Sequence, residues 1–164
     1  MSTALAPAAA SLEWSDEIAL GHEAIDATHM EFVELLAQAE TAGDDTLIER
    51  LAALVAHTVE HFGREDQWMT ATQFAPVNCH AMQHRVVLQT LEELLRQGRD
   101  EGALALVREI LPDLGQWFTQ HAQTMDAALA SHLERVGFDT ATGLMATPPA
   151  EAGTQSGCGS ASCG

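Results

Sequence analysis

The sequence carries eight histidines and neither tyrosine nor lysine, so imidazoles are its main means of doing chemistry, and where they point is the first question. His61 and Glu65 are four residues apart, as are His80 and His84; on a helix that spacing stacks two side chains on one face, a turn apart. His29 shares a helical face with Ile25, Phe32 and Leu36, and His121 follows Trp117 by four residues, with Asp126 five further on. A lone imidazole on an apolar face is ordinarily just hydrogen-bonded within the core. Here five histidines and two carboxylates turn inward together, and burying them without partners would cost about 1 to 3 kcal/mol each. The sum is comparable with the stability of a whole domain. A shared cation removes the conflict. Five imidazoles and two carboxylates exceed the four ligands of a structural zinc site and include no thiolate, which fits two metal ions with bridging carboxylates better than one. The donor set suits iron, manganese or zinc. On an ideal α-helix the step from His121 to Asp126 turns about 140°, so these two face one point only through a local π-turn or a carboxylate reaching around a metal pair.

Four helical patterns must position these groups. Ile25, Phe32, Leu35 and Leu36 predict a helix over about 22–42, stopped by Gly43. Asp44 and Asp45 then offer an N-cap and first-turn charge to a second helix with Leu47, Ile48, Leu51, Leu54, Val55 and Phe62 along one stripe, fading between Met69 and Thr72. Phe74, Ala75 and Pro76 read as a break. A third helix is expected over 77–97, ended by Gly98, and a fourth from near Asp100 to about Leu133, kinked or split by Pro112. No segment shows the period-2 alternation of a half-buried strand. The expectation is therefore all-α: an up-down-up-down four-helix bundle over 18–138, with an N-terminal arm (1–17) around Trp14 and a flexible C-terminal tail (139–164) poor in large apolar residues.

Composition narrows the function. With 7 basic residues against 24 acidic ones, the net charge of −17 repels phosphate, so nucleic acid and anionic membranes are not expected partners. The hydrophobic share of 46% contains no run long enough to span a membrane. Residues 1–7 lack the basic start of a secretory signal, and the expected placement is the cytoplasm, as a monomer or weak homo-oligomer. Three cysteines, two of them in the last seven residues, do not make a disulfide framework.

The order D-x-x-H at Asp26 and His29, H-F-x-x-E at His61, Phe62 and Glu65, H-x-x-x-H at His80 and His84, and W-x-x-x-H-x-x-x-x-D at Trp117, His121 and Asp126 resembles the hemerythrin family, specifically its bacterial members, from about Trp14 to Leu133. The resemblance implies a nonheme di-iron centre: His80, His84 and His121 on one iron, His29 and His61 on the other, and Glu65 with Asp126 bridging beside an oxo or hydroxo group. It also implies an open position on the second iron where dioxygen binds and is reduced to a peroxide-level ligand. From the residues themselves, Phe32, Phe62, Trp117 and Phe118 would exclude water and proton donors, which suits reversible binding better than catalysis. No catalytic base with a substrate cleft is evident.

The chain departs from the family pattern at Ala122, where a branched aliphatic is usual and the smaller residue is expected to open the pocket, at Thr28, where glutamine is frequent, and at Phe74-Ala75-Pro76 in place of Tyr-Pro. Of the remaining histidines, His57 is expected beside the ligands as an outer partner or a packing residue, and His22 and His132 at the surface. Cys79 is expected to be a small buried hydrophobe; Cys158 and Cys163, five apart in a Gly/Ser context, can close a disulfide or jointly hold a soft metal ion. The leading expectation is reversible oxygen binding for transport, storage or sensing. One alternative is a di-iron protein that acts on nitric oxide or peroxide or donates iron for cluster repair. Another is a zinc or manganese bundle without oxygen chemistry.

Overall fold

Periodic apolar residues fold into helices close to where the spacing places them. In the computed structural model, which describes residues 9–75 and 78–146, helix α1 spans Glu23–Glu40, α2 Leu47–Ala71, α3 Cys79–Glu101 and α4 Leu104–His121. A π-turn over Ala122–Asp126 carries α4 without interruption into α5, Ala127–Val136, and the three pieces form the fourth rod of the bundle. α1 packs on α2, α2 on α3, and α4 on both α1 and α3, so the bundle closes.

The core is divided by the histidine layer. One apolar cluster includes Phe32, Leu36, Leu51, Leu54, Leu91, Leu94, Leu111 and Phe118. The other includes Ile25, Met69, Leu129, Leu133 and Val136. Along α1 the smaller cluster comes first, then His29, then the larger; along α2 the order is reversed; α3 repeats α1 and the fourth rod repeats α2. That alternation is the up-down-up-down path, and it sets all seven candidate residues at one level of the bundle.

Several boundaries differ from the sequence expectation for local reasons. Asp44 does not cap α2, because its carboxylate accepts from Arg108 at 2.7 Å; the N-cap residue is Thr46, without a side-chain cap bond. α3 begins later than expected, at an N-cap of Asn78 whose side chain accepts from the Ala81 N–H, and Pro76 lies outside the described residues. Gly98 does not end α3. It is buried inside the helix, where a Cβ would come within 2.5 Å of Ile48 Cδ1, and Gly102 closes the helix at φ 68°. Nor does Pro112 split α4, which runs unbroken through it, anchored by Val107, Leu111 and Leu114 buried on either side.

The arm is held by more than Trp14. The Ser11 N–H donates to the Glu40 carboxylate at 2.7 Å, Leu12 and Trp14 pack on the larger cluster, and Ile18 is fully buried. The first part of the expected tail is folded as well: Phe138–Asp139 and Leu144–Met145 pair as a short antiparallel hairpin. Asp139 Oδ1 accepts from the Ala141 N–H in its turn, and Phe138 and Met145 add to the smaller cluster. Cys158 and Cys163 lie outside the described residues. Among those residues no helix is long and apolar enough to cross a membrane.

Candidate metal centre

Each helix delivers its polar residues through local contacts. Entry to α1 is fixed by Asp26, whose carboxylate accepts from the N–H groups of Leu20 (2.7 Å) and Gly21 (2.9 Å), and by His22, half-buried as the N-cap rather than free at the surface. His57 packs beside the His61 ring, 5.8 Å between centroids, without bonding a candidate ligand: its Nε2 donates to the Thr28 carbonyl at 3.2 Å, and Arg64 donates to the Thr28 hydroxyl at 3.1 Å. Thr28 thus ties α1 to α2 one residue before His29.

The seven residues singled out by spacing meet in the interior, each at most 2% exposed. They fall into two groups whose nitrogen and oxygen atoms are mutually within 4.8 Å: Glu65, His80, His84, His121 and Asp126 in one, and His29, His61, Glu65 and Asp126 in the other. Each carboxylate offers one oxygen to each group. Glu65 Oε1 lies 2.9 Å from His61 Nε2, while its Oε2 lies 3.2 Å from His80 Nε2 and 3.4 Å from His84 Nε2. Asp126 Oδ2 lies 3.1 Å from His29 Nε2, while its Oδ1 lies 2.9 Å from His80 Nε2 and 3.2 Å from His121 Nε2.

These contacts are close without being a satisfied hydrogen-bond network. His29 Nε2, His80 Nε2, Glu65 Oε2 and both Asp126 oxygens lack a properly directed partner, and His84 Nε2 faces His121 Nε2 at 3.1 Å. Two ligands about 2.1 Å from one metal ion and at right angles are about 3.0 Å apart. The spacings fit donor atoms sharing a cation, and with the undirected buried atoms the cluster suits a metal site.

The π-turn brings Asp126 into the set. By widening one turn it lets a five-residue step do what four do in an α-helix, so His121 and Asp126 face the same point. Without a cation, the charges must balance through protons. Burial drives the Glu65 and Asp126 carboxyls up, and the Asp126 charge pushes Glu65 up further, but imidazole contacts from His61 and His80 at Glu65, and from His121, His29 and His80 at Asp126, hold both well below the ordinary carboxylate range. Burial alone would lower His80; Asp126 and Glu65 instead raise it to about 9. His121 is lowered, burial being the largest cause.

Aromatic rings surround the layer. Phe118 meets His29 edge-on at 5.0 Å and stacks on Phe32 at 4.2 Å. Phe62 stacks on His84 at 3.9 Å, and Trp117 stacks on His121 at 4.5 Å. Ala122 is fully buried within the larger cluster.

Some features have no counterpart in the sequence reading. The outer nitrogens of two imidazoles are hydrogen-bonded, His84 Nδ1 to Asp66 Oδ1 and His121 Nδ1 to Gln83 Oε1, both at 3.0 Å. Asp66 and Gln83 directly follow or precede a site residue, the only trace the sequence carries of their role. His132 is buried rather than at the surface, its Nε2 donating to the Thr72 carbonyl at 3.2 Å. Cys79 is half-buried at the start of α3 rather than fully buried as expected.

Comparison with known proteins agrees with this geometry. The model of the hemerythrin HHE cation binding domain matches residues 20–133. A bacteriohemerythrin of Ralstonia nicotianae is 37% identical over 128 residues, covering 78% of this chain and 93% of that protein. The chain belongs to the hemerythrin family. A bacteriohemerythrin of Stenotrophomonas maltophilia is more distant, 24% identical over 131 residues, or 76% of this chain and 83% of its own length. All seven candidate residues fall inside the hemerythrin match, whereas the Ser11 to Trp14 strap and the 138–146 hairpin flank it.

Proposed function

We propose that the protein holds two iron ions, with Glu65 and Asp126 between them, and binds dioxygen reversibly as a carrier, store or sensing module rather than as an enzyme. The observation that carries this reading is the division of each carboxylate between the two histidine groups. Three imidazoles serve one position and two the other, so the position beside His29 and His61 has fewer protein donors and room for a small ligand. Imidazole and carboxylate without thiolate suit iron, and membership of the hemerythrin family supports the same choice. When bound, a ferrous pair supplies the electrons and the open coordination position that let dioxygen attach and leave.

The chain's own residues make that exchange reversible. Phe118 packs against His29, Phe32 against His61, and the two phenyl rings stack on each other, denying water and proton donors access to the two-histidine side. Phe62 and Trp117 do the same for His84 and His121 and fix their ring planes.

The test is anaerobic reconstitution with ferrous iron, followed by visible spectra through cycles of oxygenation and deoxygenation. A charge-transfer band that appears with oxygen and disappears on its removal, over repeated cycles, is the expected result. Loss of the band after one exposure, or no band at all, would overturn the proposal. Sustained turnover of nitric oxide or peroxide in place of a reversible spectrum would support the alternative function.

A further inference from the structure

Ligand imidazoles have a second nitrogen, and what it meets tunes the metal. Here the five differ. His29, His61 and His80 have Nδ1 atoms that are buried and without a hydrogen-bond partner among the described residues. His121 Nδ1 meets a neutral amide oxygen, Gln83 Oε1. Only His84, among the described residues, has a carboxylate on its outer side: Asp66 Oδ1, at 3.0 Å. Asp66 comes from α2, immediately after Glu65, so one stretch of helix supplies a carboxylate to each side of the same imidazole.

We infer that Asp66 is a positioning and potential-setting residue for the three-histidine iron, an inference that rests on the di-iron reading. His84 Nε2 faces the centre, 3.4 Å from Glu65 Oε2 and 3.1 Å from His121 Nε2. With Nε2 committed to the cation, the ring proton sits on Nδ1 and is donated to Asp66. The stack on Phe62 fixes the ring plane, and the Asp66 bond selects which nitrogen faces inward. A carboxylate on Nδ1–H also makes Nε2 a stronger electron donor, and stronger donation favours ferric over ferrous iron. Asp66 is 42% exposed, so water screens part of its charge; the effect is graded and does not decide whether metal binds. Gln83 gives His121 the same geometry without the charge, so the two outer partners make the three-histidine side electronically uneven.

The experiment measures the midpoint potential of the holoprotein by mediated spectroelectrochemistry, after iron content and helix content have been determined. Asp66→Asn keeps an acceptor oxygen and removes the charge. Its ferrous-to-ferric ratio at a fixed potential should rise about tenfold, an upward shift of about 59 mV for a one-electron couple, with iron content and helicity unchanged. Gln83→Glu adds a charge at the matching place on His121 and should shift the potential downward. Asp66→Ala, which removes the acceptor as well, should also lose iron to a chelator at about tenfold lower concentration. Wild-type protein with two irons whose potential moves in neither Asp66→Asn nor Gln83→Glu would overturn the inference while leaving the di-iron reading intact. Wild-type protein without a redox-active iron pair would overturn both.

Discussion

Removing the metal ions should lower the thermal midpoint substantially, and the structure sets the scale. Five inward-facing atoms have no directed hydrogen-bond partner: His29 Nε2, Glu65 Oε2, His80 Nε2 and both carboxylate oxygens of Asp126. An unsatisfied buried polar atom costs about 1 to 3 kcal/mol, so the unrelieved penalty is about 5 to 15 kcal/mol, as large as the stability of an ordinary domain. Protonation of His80 and entry of water recover much of it, leaving a working loss of about 4 kcal/mol. For a chain of this size each kcal/mol moves the midpoint by about 2 to 4 °C, which gives a fall of about 8 to 16 °C. Scanning calorimetry of loaded, chelator-stripped and reloaded protein in one buffer measures it, the reloaded sample controlling for damage. Stripped protein melting within about 2 °C of the loaded form would show that the layer satisfies itself without metal and would refute the reasoning.

The stripped protein should also acquire a pH dependence that the loaded one lacks. Against the effect of burial, Asp126 and Glu65 raise His80 to about 9, above its unfolded value of about 6.5. This stabilisation is complete below pH 6.5 and is lost as pH rises through 9, so urea midpoints of stripped protein should fall across that window while those of loaded protein stay level. His61→Ala removes one of two imidazoles from its side of the centre and should leave about one iron per chain by metal analysis, without a reversible oxygenated spectrum. Gly98→Val would drive side-chain atoms into Ile48 Cδ1 and Val107 Cγ2 and should cost about 1 to 3 kcal/mol in urea unfolding; an unchanged midpoint would mean that the α2–α3 contact yields freely.

What the sequence disclosed follows the range of its signals. Within a helix, period and spacing placed His61 with Glu65 and His80 with His84, and the structure brings these together with His29, His121 and Asp126. The five-residue step to Asp126 looked like a geometric conflict, and the π-turn is the local device that resolves it. Punctuation residues misled where packing overrode them. Gly98 is small because Ile48 occupies the space beside it, and Pro112 is carried through α4 by buried neighbours on both sides. Contacts between helices were out of reach: Asp66 meets His84 across the α2–α3 interface and His132 finds the carbonyl of Thr72. Neither pairing leaves a mark on the period of a single helix.

Anomalous diffraction at the iron edge, from crystals of the loaded protein, tests the central claim most directly. Two peaks per chain are predicted, one against His80, His84 and His121 and one against His29 and His61, with the Glu65 and Asp126 carboxylates each placing one oxygen toward each peak. A single peak, or carboxylates that both turn to one ion, would contradict the account.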